Sequence, residues 1–306
     1  MSLSAVPPQR GIVHTFGFNL TAFEFIKNPD SKDVCPNIVL FVGGLGNGLL
    51  NVPYLPRLAE VISDGGEWNL IQVLLGSAYN GWGVSSLQRD SRQIQKAIEY
   101  FKSEAGGKKQ KIVIMGHSTG CQNAIHYLTK TMQEEAQQIQ GAILQAPVSD
   151  QEALRNSGKS AKLEKLLEEV YDEYIAKGRE NEILPEKYKK VLFNTPVTAY
   201  RFYSLACKRG DDDYFSSYLT ESDFKETFGK VTKPLLVLYS GSDQFVPAHV
   251  DKKELLERWQ NATPTQYWSK YSQIIPGATH ELSDEGSDEG VIDTLTQAVK
   301  SFISEL

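Results

Sequence analysis

Cysteine is scarce in this chain, with three among 306 residues, at Cys35, Cys121 and Cys207. Three widely separated thiols make neither a disulfide framework nor a metal-binding spacing, and they suit a reducing compartment. Long apolar runs are also missing. No stretch approaches the ~18 residues of a membrane span. The first thirty residues lack the basic start, apolar run and small-residue cleavage site of a secretory signal. Positive charge is in deficit, since 32 Lys and Arg against 38 Asp and Glu leave a formal net charge of −6. Basic residues gather only in short pairs such as Lys189-Lys190. Nucleic acids and anionic membranes both require concentrated positive charge, so neither is expected as the main partner. These absences point to a soluble, cytoplasmic protein whose partner is a small molecule.

What is present is a core. Hydrophobic residues make up 41% and charged residues 23%, a globular composition. Strand-like runs alternate with helix-like ones. Residues 11–17 and 20–26 read as an antiparallel pair, and Asn37-Ile38-Val39-Leu40-Phe41-Val42 as a strand buried on both faces. Further strands are expected at 69–75, 111–115, 139–145, 234–239 and 271–275. Helices are expected at 51–63, 86–104, 119–131, 250–260 and 290–303. In the helix at 86–104, Leu87, Ile94, Ala97, Ile98 and Phe101 recur at helical spacing. This rhythm predicts a mainly parallel sheet flanked by helices. It breaks between Val148 and Lys230, a span too long for an ordinary connection and without a convincing strand. The expected division is a core of residues 1–147 and 231–306, with 148–230 as a mostly helical cap inserted after the sixth strand.

The strongest motif is Met115-Gly116-His117-Ser118-Thr119-Gly120, a G-x-S-x-G sequence between a buried strand and a helix. A tight strand–turn–helix lifts the serine oxygen above the sheet, and small flanking residues let the backbone pass closely. A nucleophilic serine needs a base, and the base needs an orienting acid. Of five histidines, His14 lies in a strand, His126 inside a helix and His249 at a helix start. His117 precedes the serine and is expected to point elsewhere. His280 follows the last strand and is the candidate base. Asp243 follows the glycine turn after the 234–239 strand and is the candidate acid. The chain order Ser118, Asp243, His280 is that of the α/β hydrolases.

Backbone N–H groups of Thr119 and of Leu45, in the glycine-rich loop after the third strand, are the candidate oxyanion hole. That loop lacks the Lys-Ser/Thr of a phosphate-binding loop and the full G-x-G-x-x-G run. Asn47, beside it, could polarise a substrate. This chemistry calls for no metal and no organic cofactor.

Over essentially its whole length the chain resembles the α/β-hydrolase superfamily. More narrowly, it resembles a mostly fungal family, long of unknown function, that includes an intracellular siderophore esterase. The resemblance rests on Gly43-Gly44-Leu45 with Asn47-Gly48, on Ser77-Ala78-Tyr79-Asn80-Gly81-Trp82-Gly83 and on Gly116 to Gln122. Asp212-Asp213-Tyr214-Phe215-Ser216-Ser217 and Ser240-Gly241-Ser242-Asp243 extend it. Asn123 departs from it, because an acidic residue is usual there. The resemblance implies hydrolysis of the esters joining hydroxamate units in fusarinine-type siderophores, helping to release iron in the cell. Such ligands carry free amines, which Asp212 and Asp213 (with Asp211) would attract at the cap's mouth, while Trp82, Tyr214 and Phe215 would supply apolar walls. Other small acyl esters or thioesters would suit the same triad, and a silent binding protein on this fold is the reading from another class.

Overall fold

The computed structural model describes residues 6–26, 35–132, 138–283 and 285–306. Its centre is an eight-stranded sheet. The strands are β1 (Gly11–Gly17), β2 (Leu20–Phe25), β3 (Asn37–Val42), β4 (Trp68–Leu74), β5 (Lys111–His117), β6 (Gly141–Gln145), β7 (Leu235–Ser240) and β8 (Gln273–Ile275). Their order is β1-β2-β4-β3-β5-β6-β7-β8. The first two strands pair antiparallel, as does β2 with β4, and every later pairing is parallel.

Strand β3 shows why the sheet is a middle layer. Ile38, Leu40 and Val42 join one cluster and Val39 and Phe41 the other, because successive side chains leave a strand on opposite faces. One face is covered by α1 (Leu55–Ile62) and the C-terminal helix Val291–Ile303. The other carries α2 (Leu87–Lys102), α3 (Gly120–His126) and the helix Lys252–Ala262. Helix α2 starts where the Ser86 hydroxyl accepts the Arg89 N–H, and it buries the five apolar residues at helical spacing. The last strand is shorter than the sequence suggests, because Ser272 N–H turns back to the Ser269 carbonyl at 3.0 Å before pairing begins at Gln273.

After β6 the chain runs through α4 (Asp150–Leu154), α5 (Ser160–Val170), α6 (Glu186–Lys189), α7 (Ala199–Ala206) and α8 (Glu221–Lys225), then β7. The remaining two helices are thus α9 (Lys252–Ala262) and α10 (Val291–Ile303). Leu163, Leu167, Val170, Tyr188, Phe202 and Leu205 form a separate cluster over the sheet's C-terminal edge, and Trp82 from the core side belongs to it. The later part of the insertion behaves differently: Phe215, Phe224 and Phe228 pack with Trp259 of α9 in the main core. No helix among the described residues is long and apolar enough to cross a membrane.

Candidate active site

Ser118 sits between β5 and α3 with φ at +56°, in the left-handed region that a side chain adopts only under constraint. The constraint is the tight turn. A β-carbon on Gly116 would fall 2.1 Å from the Gly120 carbonyl oxygen, and one on Gly120 would fall 2.2 Å from the Val42 oxygen. Only glycine fits at either flank of the serine. The turn is held from below by its neighbours. Ser118 N–H donates to the Gln145 carbonyl at 3.1 Å, and the Cys121 thiol reaches the same oxygen at 3.1 Å. Burial pushes that thiol's pKa up, so Cys121 serves as a prop.

His280 and Asp243 meet at the ends of the last two strands. The loops are stitched by Gly241 N–H to the Ile275 carbonyl (2.9 Å) and Ser242 N–H to the Ala278 carbonyl (2.8 Å). His280 Nδ1 lies 2.7 Å from Asp243 Oδ2, and both residues are buried. The other carboxylate oxygen accepts Phe245 N–H at 2.9 Å, and Gln244 Oε1 accepts His280 N–H at 3.1 Å. A buried carboxylate at that distance places the proton on Nδ1 and leaves Nε2 as the basic nitrogen. Ser118 and His280 line one cavity of about 710 Å³, within the range of small-molecule sites. Their side chains make no hydrogen bond to each other among the described residues.

The glycine-rich loop passes directly over the serine, since a β-carbon on Gly44 would lie 2.6 Å from Ser118 Cβ and 3.0 Å from Oγ. Neither Leu45 N–H nor Thr119 N–H donates a hydrogen bond within the described chain. Two free amides beside a nucleophile are what an oxyanion hole requires, and Leu45 and Thr119 are the candidates for it here. Asn47 lines the cavity, but its Oδ1 accepts Gly44 N–H at 2.8 Å, so that oxygen shapes the loop.

The residues expected at the cap's mouth sit elsewhere. Asp212 is buried and accepts both of its hydrogen bonds from Arg201, at 2.7 Å each. Asp213 accepts from the Ser216 and Tyr218 hydroxyls, and Asp211 from Tyr200 at 2.6 Å. Tyr214 bonds His126 at 2.9 Å, and Phe215 packs edge-on against Trp259. Trp82 is 2% exposed in the cap cluster, where its carbonyl accepts Arg201 Nε at 3.1 Å. None of Trp82, Asp212, Asp213, Tyr214 and Phe215 lines the cavity. Tyr214 and Phe215 tie the inserted segment to the core, and Asp212 and Asp213 are bound within it. The actual walls come from Val148 to Ser157 and from Lys190 to Phe193, with Leu45, Leu205 and Phe245.

Sequence reasoning also missed what lies beneath Ser118, Asp243 and His280. His117 does not turn away: it lines the cavity with its ring 5.1 Å from that of His280. Burial, then the neighbouring His280, push its pKa down to about 3, keeping it neutral. Its Nδ1 donates to Gln145 Oε1, which also accepts the Tyr54 hydroxyl at 3.0 Å. Gln145 Nε2 points at Ser240 Oγ (3.3 Å) and the His280 carbonyl (3.4 Å). One fully buried glutamine therefore touches the serine turn, the strand leading to Asp243 and the His280 loop. The available signal was a polar residue ending an otherwise apolar strand, Gly141–Gln145.

With this geometry in view, the chain can be compared with known proteins. A family model described as a protein of unknown function (DUF1749) matches residues 1–304. The chain belongs to this family. It is 39% identical to a UPF0613 protein of Schizosaccharomyces pombe, across 96% of this chain and 98% of that protein. It is 35% identical to the fusarinine C esterase sidJ of Aspergillus fumigatus, across 91% of each. The solved structure of the siderophore hydrolase EstB from Aspergillus fumigatus superposes with a TM-score of 0.80 at 34% identity, covering 98% of both chains. The fold is that of the α/β hydrolases.

Proposed function

We propose that this member of the family is a serine esterase that opens ester bonds of hydroxamate siderophores of the fusarinine type, inside the cell. The observation that carries the reading is that Ser118, His280 and Leu45 line one cavity, with Asp243 bonded to His280 behind it and the unpaired Thr119 amide next to Ser118 in the chain. The substrate class is supported by the names of the two Aspergillus fumigatus relatives. Three free cysteines accord with a reducing cytoplasm.

The chemistry follows from the atoms present. His280 Nε2 takes the proton of Ser118 Oγ as that oxygen attacks the ester carbonyl carbon. The carbonyl oxygen becomes an oxyanion held by Leu45 and Thr119 N–H groups. Asp243 keeps the ring in its tautomer and stabilises the imidazolium. Collapse breaks the ester C–O bond, and the imidazolium gives its proton to the departing alkoxide. Water, deprotonated by His280, then attacks the acyl-serine. The second collapse frees the acid and returns the proton to Ser118. Iron would enter as the substrate's cargo, and no step needs it.

The test is mass spectrometry of products after incubating the purified protein with fusarinine-type siderophores, iron-loaded and iron-free, beside short acyl esters. Linear hydroxamate units released faster than short esters turn over would support the reading. Cleavage of short esters or thioesters alone would keep the triad and reject the substrate. No cleavage of any ester would overturn the enzymatic reading.

A further inference from the structure

One cavity carboxylate has no part in the hydrolytic steps. Asp150, the first residue of α4, lines the same cavity as Ser118 and His280. It is tied to the serine's own helix, because Gln122 of α3 donates Nε2 to Asp150 Oδ2 at 2.8 Å. That partner is a neutral amide, and its other partner is its own backbone N–H. The cation nearest in charge terms is Arg201, but Arg201 spends NH1 on both oxygens of Asp212 and its Nε on the Trp82 carbonyl. Lys190 lines the cavity without forming an ion pair with Asp150.

The charge around Asp150 is therefore one-sided. The charges of Asp212 and Asp213 both act against an ionised Asp150, Arg201 favours it but makes its NH1 hydrogen bonds to Asp212, and Glu281 adds a second carboxylate to the cavity wall. Much of the remaining wall is apolar: Leu45, Val148, Leu154, Val191, Phe193 and Phe245. Burial, then repulsion from Asp212, outweigh Arg201 and push the Asp150 pKa up to about 8. The unpaired side chain is therefore mostly protonated at pH 7, and a cation arriving from the cavity side would favour its ionised form and pair with it.

We propose that Asp150 is a specificity residue that binds a positively charged group, an ammonium, carried by the ester substrate. The proposal rests on the esterase reading. It also relocates the acidic recognition that the sequence placed at Asp212 and Asp213, both of which are consumed by partners inside the protein.

The test uses two matched ester pairs, each a trimethylammonium compound and its uncharged tert-butyl isostere. One pair carries the group on the acyl side and the other on the alcohol side. Wild type should prefer the cation by about tenfold or more in kcat/KM in at least one pair. Asp150→Asn, which still accepts the Gln122 hydrogen bond, should bring that ratio to within about threefold of unity. Asp150→Glu, which keeps the charge, should restore most of it. Equal rates on both isosteres in wild type, or a preference that survives Asp150→Asn, would overturn the proposal. If Asp150 acts instead as a neutral hydrogen-bond donor, no charge preference will appear, and the proposal falls. Cleavage of the uncharged esters without a charge preference would sink this inference alone. Absence of all cleavage would sink the esterase reading and this inference with it.

Discussion

Replacing Gln145 with leucine should damage catalysis from beneath the triad without touching a reacting atom. The side chain is fully buried and makes hydrogen bonds to Tyr54, His117, Ser240 and the His280 carbonyl. Leucine is similar in volume, so the loss is polar. Two buried donors, the Tyr54 hydroxyl and His117 Nδ1–H, would be stranded. Each costs about 1–3 kcal/mol when left unpaired, and the two longer bonds to Ser240 and His280 add little. A stability loss of about 3 kcal/mol is expected from denaturant unfolding. The His280 loop would also lose its only side-chain tie from β6. Displacements near 1 Å at a catalytic group can cost about 100-fold, so kcat on a chromogenic ester should fall about 10- to 100-fold. KM should move less than about threefold, because the cavity walls are untouched. A glutamine that merely filled space would give the stability loss with kcat intact. That outcome would refute the positioning role.

Glu24 offers a pH prediction far from the site. Burial works against its charge, but the hydrogen bond from His14 and the charge of Lys109 win and hold its pKa near 2, against 4.5 ordinarily. A depressed folded-state pKa adds stability above about pH 4.5 and loses it as pH falls towards 2, here about 3 kcal/mol. Glu24→Gln should remove that amount at pH 7 and flatten the acid limb of the stability profile, whereas an unaltered acid limb would contradict the assignment. Asp212→Asn should cost about 3–5 kcal/mol by leaving Arg201 buried and unpaired. A raised KM with unchanged unfolding would instead return Asp212 to substrate binding.

The sequence made the candidate site of Ser118, Asp243 and His280 legible because each part is local. Ser118, Asp243 and His280 each follow a strand, and a strand end is visible in apolar runs that stop at glycine or a small residue. The cap was opaque for the opposite reason. Whether Asp212 meets solvent or Arg201 depends on how α7 packs, eleven residues away, and three consecutive aspartates look alike until their partners are placed. Trp82 reads as a wall because it is a large aromatic in a motif that the family resemblance rests on. Its burial against Phe202 and Leu205 is a tertiary fact. Asn123 is explained only in space: its amide donates to buried Asp90 at 3.1 Å, a donation an acidic residue could make only when protonated. Asp150 and Gln145 stand out little in sequence, one just after a strand and the other at its end, because their roles depend on partners brought in by the fold.

The central claim is that Ser118 Oγ is the nucleophile. Its most direct test is intact-mass measurement and peptide mapping after treatment with an active-site-directed fluorophosphonate, paired with ester turnover by Ser118→Ala. One adduct per chain on Ser118, no adduct on the variant, and turnover reduced at least ~10³-fold are the expected results. An adduct on another residue, or turnover unchanged in Ser118→Ala, would contradict the account.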